Sequence, residues 1–242
     1  MKIEGRNSIN EALTAGTTID RLVVAADVKD AAGNRIIAKA REMGVKIQFL
    51  DRKILDKESM GGNHQGFIAM TTEFKYCEVD DIFAYAESKD ELPLIIILDG
   101  VEDPHNLGSV LRVAECGGAH GVIIGRHRAV SVNETVIKVS AGAAEHMRVA
   151  RVTNINDTIE DLKKRGVWVM AADLNGQDIY KTDLKGALAI VIGGEGAGVK
   201  RLTREKCDGV VTLPVFGKVN SLNASVACGV VLYEVIRQRI SG

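Results

Sequence analysis

The sequence predicts an α/β protein in which a parallel sheet wrapped by helices follows a smaller α/β or α+β unit. Three observations lead there. From residue 93 onward, short continuous apolar runs alternate with helical patterns, as expected for parallel strands covered on both faces. Before residue 73 a shorter alternation of helices and strands repeats on a smaller scale. Between the two, EFKYCEVDDIFAYAESKDEL gathers acidic residues, which suggests a solvated connector. The expected organisation is therefore a domain over 1–72, an acidic linker over 73–92 and a second domain over 93–242. A chain of 242 residues, 46% hydrophobic and 26% charged, is long enough to bury a real core and is unlike disordered, collagenous or coiled-coil chains.

In the first part, Asn7 to Ala15 reads as a helix closed by Gly16, and Ile19 to Ala26 as a strand. Ala31 to Met43 is a helix stopped by Gly44, Val45 to Leu50 a strand, and Ile54 to Ser59 a short helix. GGNHQG then turns the chain into a strand from Phe67 to Thr72. In the connector, Val79, Ile82, Phe83 and Ala86 could give a helix one apolar face. In the second part, strands are expected at 94–98, 121–125, 147–152, 167–172, 188–193 and 210–215, with helices at 106–119, 134–145, 154–165, 198–206 and 221–240.

The net charge of −1 at first argues against a nucleic-acid partner, but the charge is unevenly placed. Residues 1–72 hold 11 basic and 9 acidic side chains, 73–92 hold 2 and 7, and 93–242 hold 18 and 16. Outside the connector both parts are mildly basic, which permits RNA or DNA. Apolar stretches such as Leu94 to Leu98 are far too short to span a bilayer. The start, MKIEGRN, lacks the apolar core of a signal peptide. Four scattered cysteines and five histidines show no metal-ligand spacing. The expectation is a soluble, cytoplasmic protein with no membrane and no metal.

Ligands of open parallel sheets bind at strand carboxyl ends, on loops entering helices. Three such loops stand out. LDGVEDPHNLGSVLRVAECGG has Pro104 and Asn106 at a helix start, with Leu107, Val110, Leu111 and Ala114 on one face and Arg112 elsewhere. IGGEGAGVKRLTREKCD puts Glu195 inside a glycine run, where a tight turn alone needs no carboxylate. It fails both phosphate motifs: GxGxxG would need glycine where Val199 stands, and GxxxxGK[ST] would need lysine there. A nucleotide-dependent dehydrogenase is therefore disfavoured. LPVFGKVNSLNASVACGVV crowds Ser221, Asn223 and Ser225 at a helix start, more polar groups than one cap requires, and contains no G-x-S-x-G nucleophile elbow.

These three strings resemble, in order and spacing, the three motifs of the SpoU (TrmH-like, SPOUT) RNA ribose 2'-O-methyltransferases, and they cover most of residues 94–240. EGRNSINEAL and GGNHQGFIAM resemble the ends of the L30e-like RNA-binding domain that precedes the methyltransferase in bacterial 23S rRNA guanosine 2'-O-methyltransferases. Ser8 departs from the proline common in the family, at a helix start remote from chemistry. The resemblance implies a parallel-sheet methyltransferase domain with a C-terminal trefoil knot behind a small L30e-like α/β domain. It also implies S-adenosylmethionine as cofactor and a homodimer acting on 23S rRNA. It places the cofactor at Gly193, Gly194, Leu213, Pro214, Val215, Ser221 and Leu222, and the catalytic set at Asn106, Arg112, Glu195, Ser221 and Asn223. RNA contacts are expected from Arg6, Asn63, His64 and Gln65 at polar turns of the first domain.

The chemistry implied is methyl transfer to a guanosine 2'-hydroxyl in the peptidyl-transferase P-site loop region. That hydroxyl is a poor nucleophile, so positioning carries much of the catalysis. An arginine that stays protonated above pH 12 is a weak candidate for the general base, and Arg112 is assigned to orientation and charge stabilisation. Glu195 is expected to hold Asn106 or Arg112. Asn106 and Arg112 lie about 1.7 turns apart and do not share a helix face, so Arg112 must reach back or cross a dimer interface. A tRNA substrate is the alternative within the class, and a resistance-type rRNA methyltransferase shares the two-part layout. A non-catalytic ribosome-binding or assembly protein is the alternative outside it.

Overall fold

The computed structural model describes residues 2–59, 61, 63–71, 74–196, 198–219 and 221–241. In chain order the elements are β1 (Lys2–Glu4), α1 (Arg6–Ala15), β2 (Ile19–Ala25), α2 (Ala31–Glu42), β3 (Lys46–Leu50), α3 (Arg52–Glu58), β4 (Phe67–Thr71) and α4 (Val79–Ser88). There follow β5 (Leu94–Asp99), α5 (Pro104–Cys116), β6 (Gly121–Gly125), α6 (Glu134–Val139), α7 (Ala143–His146), β7 (Val149–Val152) and α8 (Ile155–Lys164). The last are β8 (Trp168–Asp178), a 3-10 turn (Ile179–Lys181), β9 (Leu188–Gly193), α9 (Arg201–Lys206), β10 (Gly209–Thr212) and α10 (Ala224–Ser241). Two compact units result: Met1–Lys75 with Ser131–Glu134, and Tyr76–Val130 with Thr135–Gly242.

The first unit is a four-stranded sheet in the order β1-β4-β2-β3, antiparallel at β1/β4 and β4/β2 and parallel at β2/β3. Ile9 and Leu13 of α1, Ile36 and Ile37 of α2 and Leu55 of α3 close its core against Leu22, Val24 and Phe67. Gly16 ends α1 with a φ of 74°, the left-handed region that glycine enters without a Cβ penalty. Three-residue β1 is too short to carry a periodic signal in the sequence. Gly62 of the expected turn, Thr72 at the expected strand end and Glu73 at the linker start lie outside the described residues.

The second unit is an all-parallel sheet of six strands, ordered β10-β8-β9-β5-β6-β7. All of β5 is buried, and alternate residues serve opposite faces. Ile95 and Ile97 meet Ile82 of α4 and Ile159 and Leu162 of α8, while α5 and α10 pack together on the other side of the sheet. No helix among the described residues is long and apolar enough to cross a membrane.

Several expectations from the sequence change here. The segment read as a solvated connector is a helix from Val79 to Ser88, whose Ile82 and Ala86 are buried in the second core. Its acids serve the helix start. Glu78 and Asp81 form a capping box, and Asp80 and Asp81 sit in the first turn, where the helix dipole favours negative charge. The helix expected over 134–145 is broken at Ala141 and Gly142, both with positive φ. The helix expected from 198 begins at Arg201, because Gly198 is left-handed (φ 64°) and Lys200 is extended. Strand β10 stops at Thr212, and α10 starts at Ala224 rather than 221.

Candidate functional site

The three polar loops end β5, β9 and β10 and meet at the carboxyl edge of the six-stranded sheet. Asp99 closes β5 and is 3% exposed. Its carboxylate accepts from the Lys200 backbone N–H at 3.0 Å and from Lys200 Nζ at 2.8 Å, and its carbonyl accepts from Gly194 N–H at 3.0 Å. One buried residue thus fastens the first loop to the second. The backbone crowding is extreme at two glycines. A Cβ on Gly193 would lie 2.0 Å from the Gly198 carbonyl carbon, and one on Gly194 would lie 2.2 Å from Gly100 O. Only glycine admits that approach.

On α5, Asp103 caps the helix by accepting from His105 N–H at 3.0 Å, with Pro104 in the first turn. Asn106 follows and points inward, 4% exposed. Its Nδ2 donates to Glu195 Oε1 at 2.6 Å, and its Oδ1 accepts from Asn223 Nδ2 at 2.9 Å. Both ends of this buried amide are therefore satisfied, as burial requires. Asn223 Nδ2 also lies 3.5 Å from Glu195 Oε1. Asn223 Oδ1 takes the N–H groups of Ser225 (2.9 Å) and Val226 (3.3 Å) and the Ser225 hydroxyl (2.7 Å), capping α10. One carboxylate and two amides join the three loops.

Two cavities, each of about 450 Å³, flank this network. The first lies between the β8, β9 and β10 ends and has apolar walls from Leu174, Leu213, Val215 and Leu222 beside Gly193, Gly194 and Ser221. Its outer wall exists because β8 leaves register with β10, the partner jumping from Ala171 to Gln177 between Val210 and Val211. The second is lined by Asp99, Glu102, Asn106, Arg128 and Lys200 among others. Gly194, Glu195 and Gly198 border both. A small molecule in the first cavity and a second reactant in the other would meet at Glu195. Burial pushes the Cys207 and Cys228 thiols up to about 12 and Cys77 to about 11, which disfavours their thiolates near neutral pH.

The profile of the SpoU rRNA Methylase family matches residues 93–233, more than half the chain, and spans all three loops. The chain belongs to that family. A second profile, RNA 2'-O ribose methyltransferase substrate binding, matches residues 2–77. A Bacillus subtilis protein named as a TrmH family tRNA/rRNA methyltransferase is 44% identical over 97% of this chain and 94% of its own length. Among solved structures, the SpoU methyltransferase AviRb from Streptomyces viridochromogenes in complex with AdoMet covers 100% of this chain and 91% of its own, at TM-score 0.64 and 25% identity. The TrmH/SpoU tRNA modifying enzyme of A. aeolicus covers 62% of this chain and 77% of its own, at TM-score 0.57 and 26% identity.

Within this SpoU-family chain, the structure brings Asn106, Glu195 and Asn223 into direct contact and lines the first cavity with six of the seven cofactor candidates. Pro214 is the exception: it stands on the same loop and does not line the cavity. Ser221 lies at the cavity wall. Glu195 holds Asn106 and not Arg112. Arg112 is exposed on α5, lines neither cavity and has no hydrogen bond or ion pair among the described residues.

In the first unit, Arg6 forks onto both Asp30 oxygens at 2.8 and 2.7 Å and donates through Nε to the Gln65 carbonyl at 3.2 Å. The guanidinium and the Gly33 N–H hold the Asp30 carboxyl down at about 2. His64 is buried; its Nδ1 accepts from Gly66 N–H at 3.0 Å, which leaves the proton on Nε2 to face Asp56 at 2.8 Å. Arg6, Gln65 and His64 are thus already bonded within the unit, and Asn63 is exposed with no such bond among the described residues. Residues that the sequence reading did not single out are Asp99 and Lys200, which fasten the loops, and Arg128. The one signal for Asp99 was a carboxylate ending the apolar run LIIILD.

Proposed function

We propose that this chain transfers a methyl group from S-adenosylmethionine to the 2'-hydroxyl of a guanosine in 23S rRNA, in the P-site loop region. The observation that carries the reading is the Asn106–Glu195–Asn223 network on the border shared by two cavities. The first cavity suits the donor: its volume falls within the roughly 300–1,000 Å³ of small-molecule sites, and its walls pair apolar side chains with exposed backbone. Gly193 and Gly194 would hold the donor through backbone groups that no Cβ obstructs, and Leu213, Val215 and Leu222 would enclose its adenine. When bound, S-adenosylmethionine supplies an electrophilic methyl on a sulfonium sulfur.

The chain's own part is positioning. Glu195, fixed through Oε1 by two amides, leaves Oε2 to accept from the incoming ribose. Asn106 and Asn223 hold that carboxylate in one orientation, and in-line placement of the two reactants is the main source of rate. Arg112 brings charge stabilisation for the developing 2'-oxyanion. Because it lies outside both cavities of its own chain, we assign it to the site of a second copy in a homodimer. Support comes from Val226, Val230 and Tyr233, exposed at i, i+4 and i+7 on α10, which packs beside α5. We also propose that the C-terminal stretch threads a trefoil knot, since β10 lies at the sheet edge while α10 returns to α5 and β9 near its centre.

Ribosomal RNA is favoured over tRNA because the tRNA modifying enzyme above matches only 62% of the chain, whereas residues 2–77 carry a substrate-binding profile. In that domain Asn63 is the residue most available to RNA, with Arg6, His64 and Gln65 shaping the surface around it. A cytoplasmic setting goes with such a substrate. The test is transfer of labelled methyl from S-adenosylmethionine to 23S rRNA and to bulk tRNA, with nucleoside analysis of the product. The reading expects 2'-O-methylguanosine in rRNA. Label in tRNA alone would move the assignment to the tRNA alternative, and no transfer with intact RNA binding would favour a non-catalytic ribosome-binding role.

A further inference from the structure

Resting on that reading, we propose that the loop after β6, Arg126-His127-Arg128, grips the RNA backbone through its phosphates beside the target ribose. Arg128 acts from the second cavity, which it lines, and Arg126 from two residues earlier on the same exposed loop. The loop is exposed but not loose. Arg126 N–H donates to Val152 O at 2.8 Å, Val130 N–H donates to Val101 O at 3.0 Å, and Ala129 is buried between them. The side chains are therefore presented from a backbone anchored at both ends, and Arg128 lines the cavity together with Asn106 and Glu195.

Two further observations set these arginines apart. Arg128 sits at φ 51°, in the left-handed region where glycine or asparagine would be easier. A merely structural turn would not call for an arginine there. Elsewhere in the second unit arginines are engaged: Arg165 with Asp80, Arg201 with Glu205, Arg237 with Glu234, and Arg239 with backbone carbonyls. Among the described residues, Arg126 and Arg128 have no hydrogen bond, ion pair or ring contact for their side chains, and only Arg112 shares that condition in the unit.

The ligand chemistry follows from the surroundings. Asp99 in the same cavity is neutralised by Lys200, Asp103 caps α5, and Glu195 is held by two amides. A phosphodiester approaching Asn106 and Glu195 therefore needs a cation to offset the Glu195 carboxylate and the exposed Glu102. A planar guanidinium fork matches two phosphate oxygens better than an ammonium does. Such bonds fix register without reading sequence, which is what in-line attack at one ribose requires.

The test uses the full chain and the variants Arg128→Asn, which tolerates the left-handed backbone, and Arg126→Ala with Arg128→Asn. The expected result is a rise in the KM for rRNA of about tenfold in the double variant. S-adenosylmethionine affinity and thermal midpoint should stay at wild-type values. The slope of log affinity for an RNA fragment against log salt should shrink by about 0.7 for each phosphate that the arginines no longer neutralise. Wild-type KM and salt slope in the double variant would overturn the grip while leaving the methyltransferase reading intact. A wild-type chain that binds RNA with the loop-dependent slope but transfers no methyl would overturn the reading and keep the grip.

Discussion

Arg112 is exposed on α5 with no partner among the described residues, and it lines neither of the two cavities. Its replacement separates two accounts. If it stabilises charge at the 2'-oxygen, Arg112→Ala lowers turnover by orders of magnitude, and Arg112→Lys recovers little because the fork is gone. Donor affinity measured by calorimetry stays unchanged in both, since the first cavity is built from the other two loops. Near-normal turnover would make Arg112 a solvated surface residue. At Gly194 the limit is steric instead. The Cβ of Gly194→Ala would come within 2.2 Å of Gly100 O, so the β9 loop must move off β5. Donor binding and thermal stability should fall together; wild-type donor affinity would contradict the backbone-built cavity.

At the scale of elements, α10 carries Asn223 at its start and is tied down at its end. Gln238 accepts from Leu184 N–H at 2.9 Å and donates to Thr182 O at 3.0 Å and to Glu234 Oε1 at 2.8 Å. Gln238→Ala leaves the Leu184 amide buried without an acceptor and should cost about 1–3 kcal/mol in a urea titration. Arg237 and Gln238 hold the Glu234 carboxyl at about 2, below its ordinary value of 4.5. A depressed carboxylate stabilises the fold fully above its unfolded pKa and loses that contribution as pH falls from there through 2. Glu234→Gln should therefore flatten the acid limb of stability against pH between about 4.5 and 2. An acid limb as steep as wild type would sink the assignment.

The same scale shows what could be read in advance. The apolar runs of β5, β6 and β9 announced themselves because burial on both faces leaves continuous Ile, Val and Leu. The start of α9 did not, because a left-handed Gly198 and the Asp99 carboxylate on the Lys200 N–H delay the helix. The helix α4 was masked by its own acids, which are an N-terminal signal as well as a solvation signal. Glu195 and Asn223 stand 89 and 117 residues from Asn106 along the chain. No periodicity joins such distant residues, and only the resemblance of three motifs placed them together. Arg128 left no trace at all, since its distinction is a backbone angle and a side chain without a partner among the described residues.

At the scale of the whole molecule, the proposed homodimer puts two chains at each working site. Arg112→Ala and Glu195→Ala are each expected to be inactive, yet an equal mixture should recover about a quarter of wild-type activity. Half the dimers are then mixed, and each mixed dimer has one intact site of two. No recovery after subunit exchange would place Arg112 and Glu195 in the same chain's site.

The most direct measurement of the central claim is a map of 2'-O-methyl groups in rRNA and tRNA from cells with and without this chain. Ribose methylation blocks alkaline cleavage at the modified nucleotide, so the map reads the bond that the site is built to form. One 23S rRNA guanosine, in the P-site loop region, should lose its methyl when the chain is absent and regain it with wild type but not with Glu195→Ala. An unchanged rRNA map, or a lost methyl confined to tRNA, would contradict it.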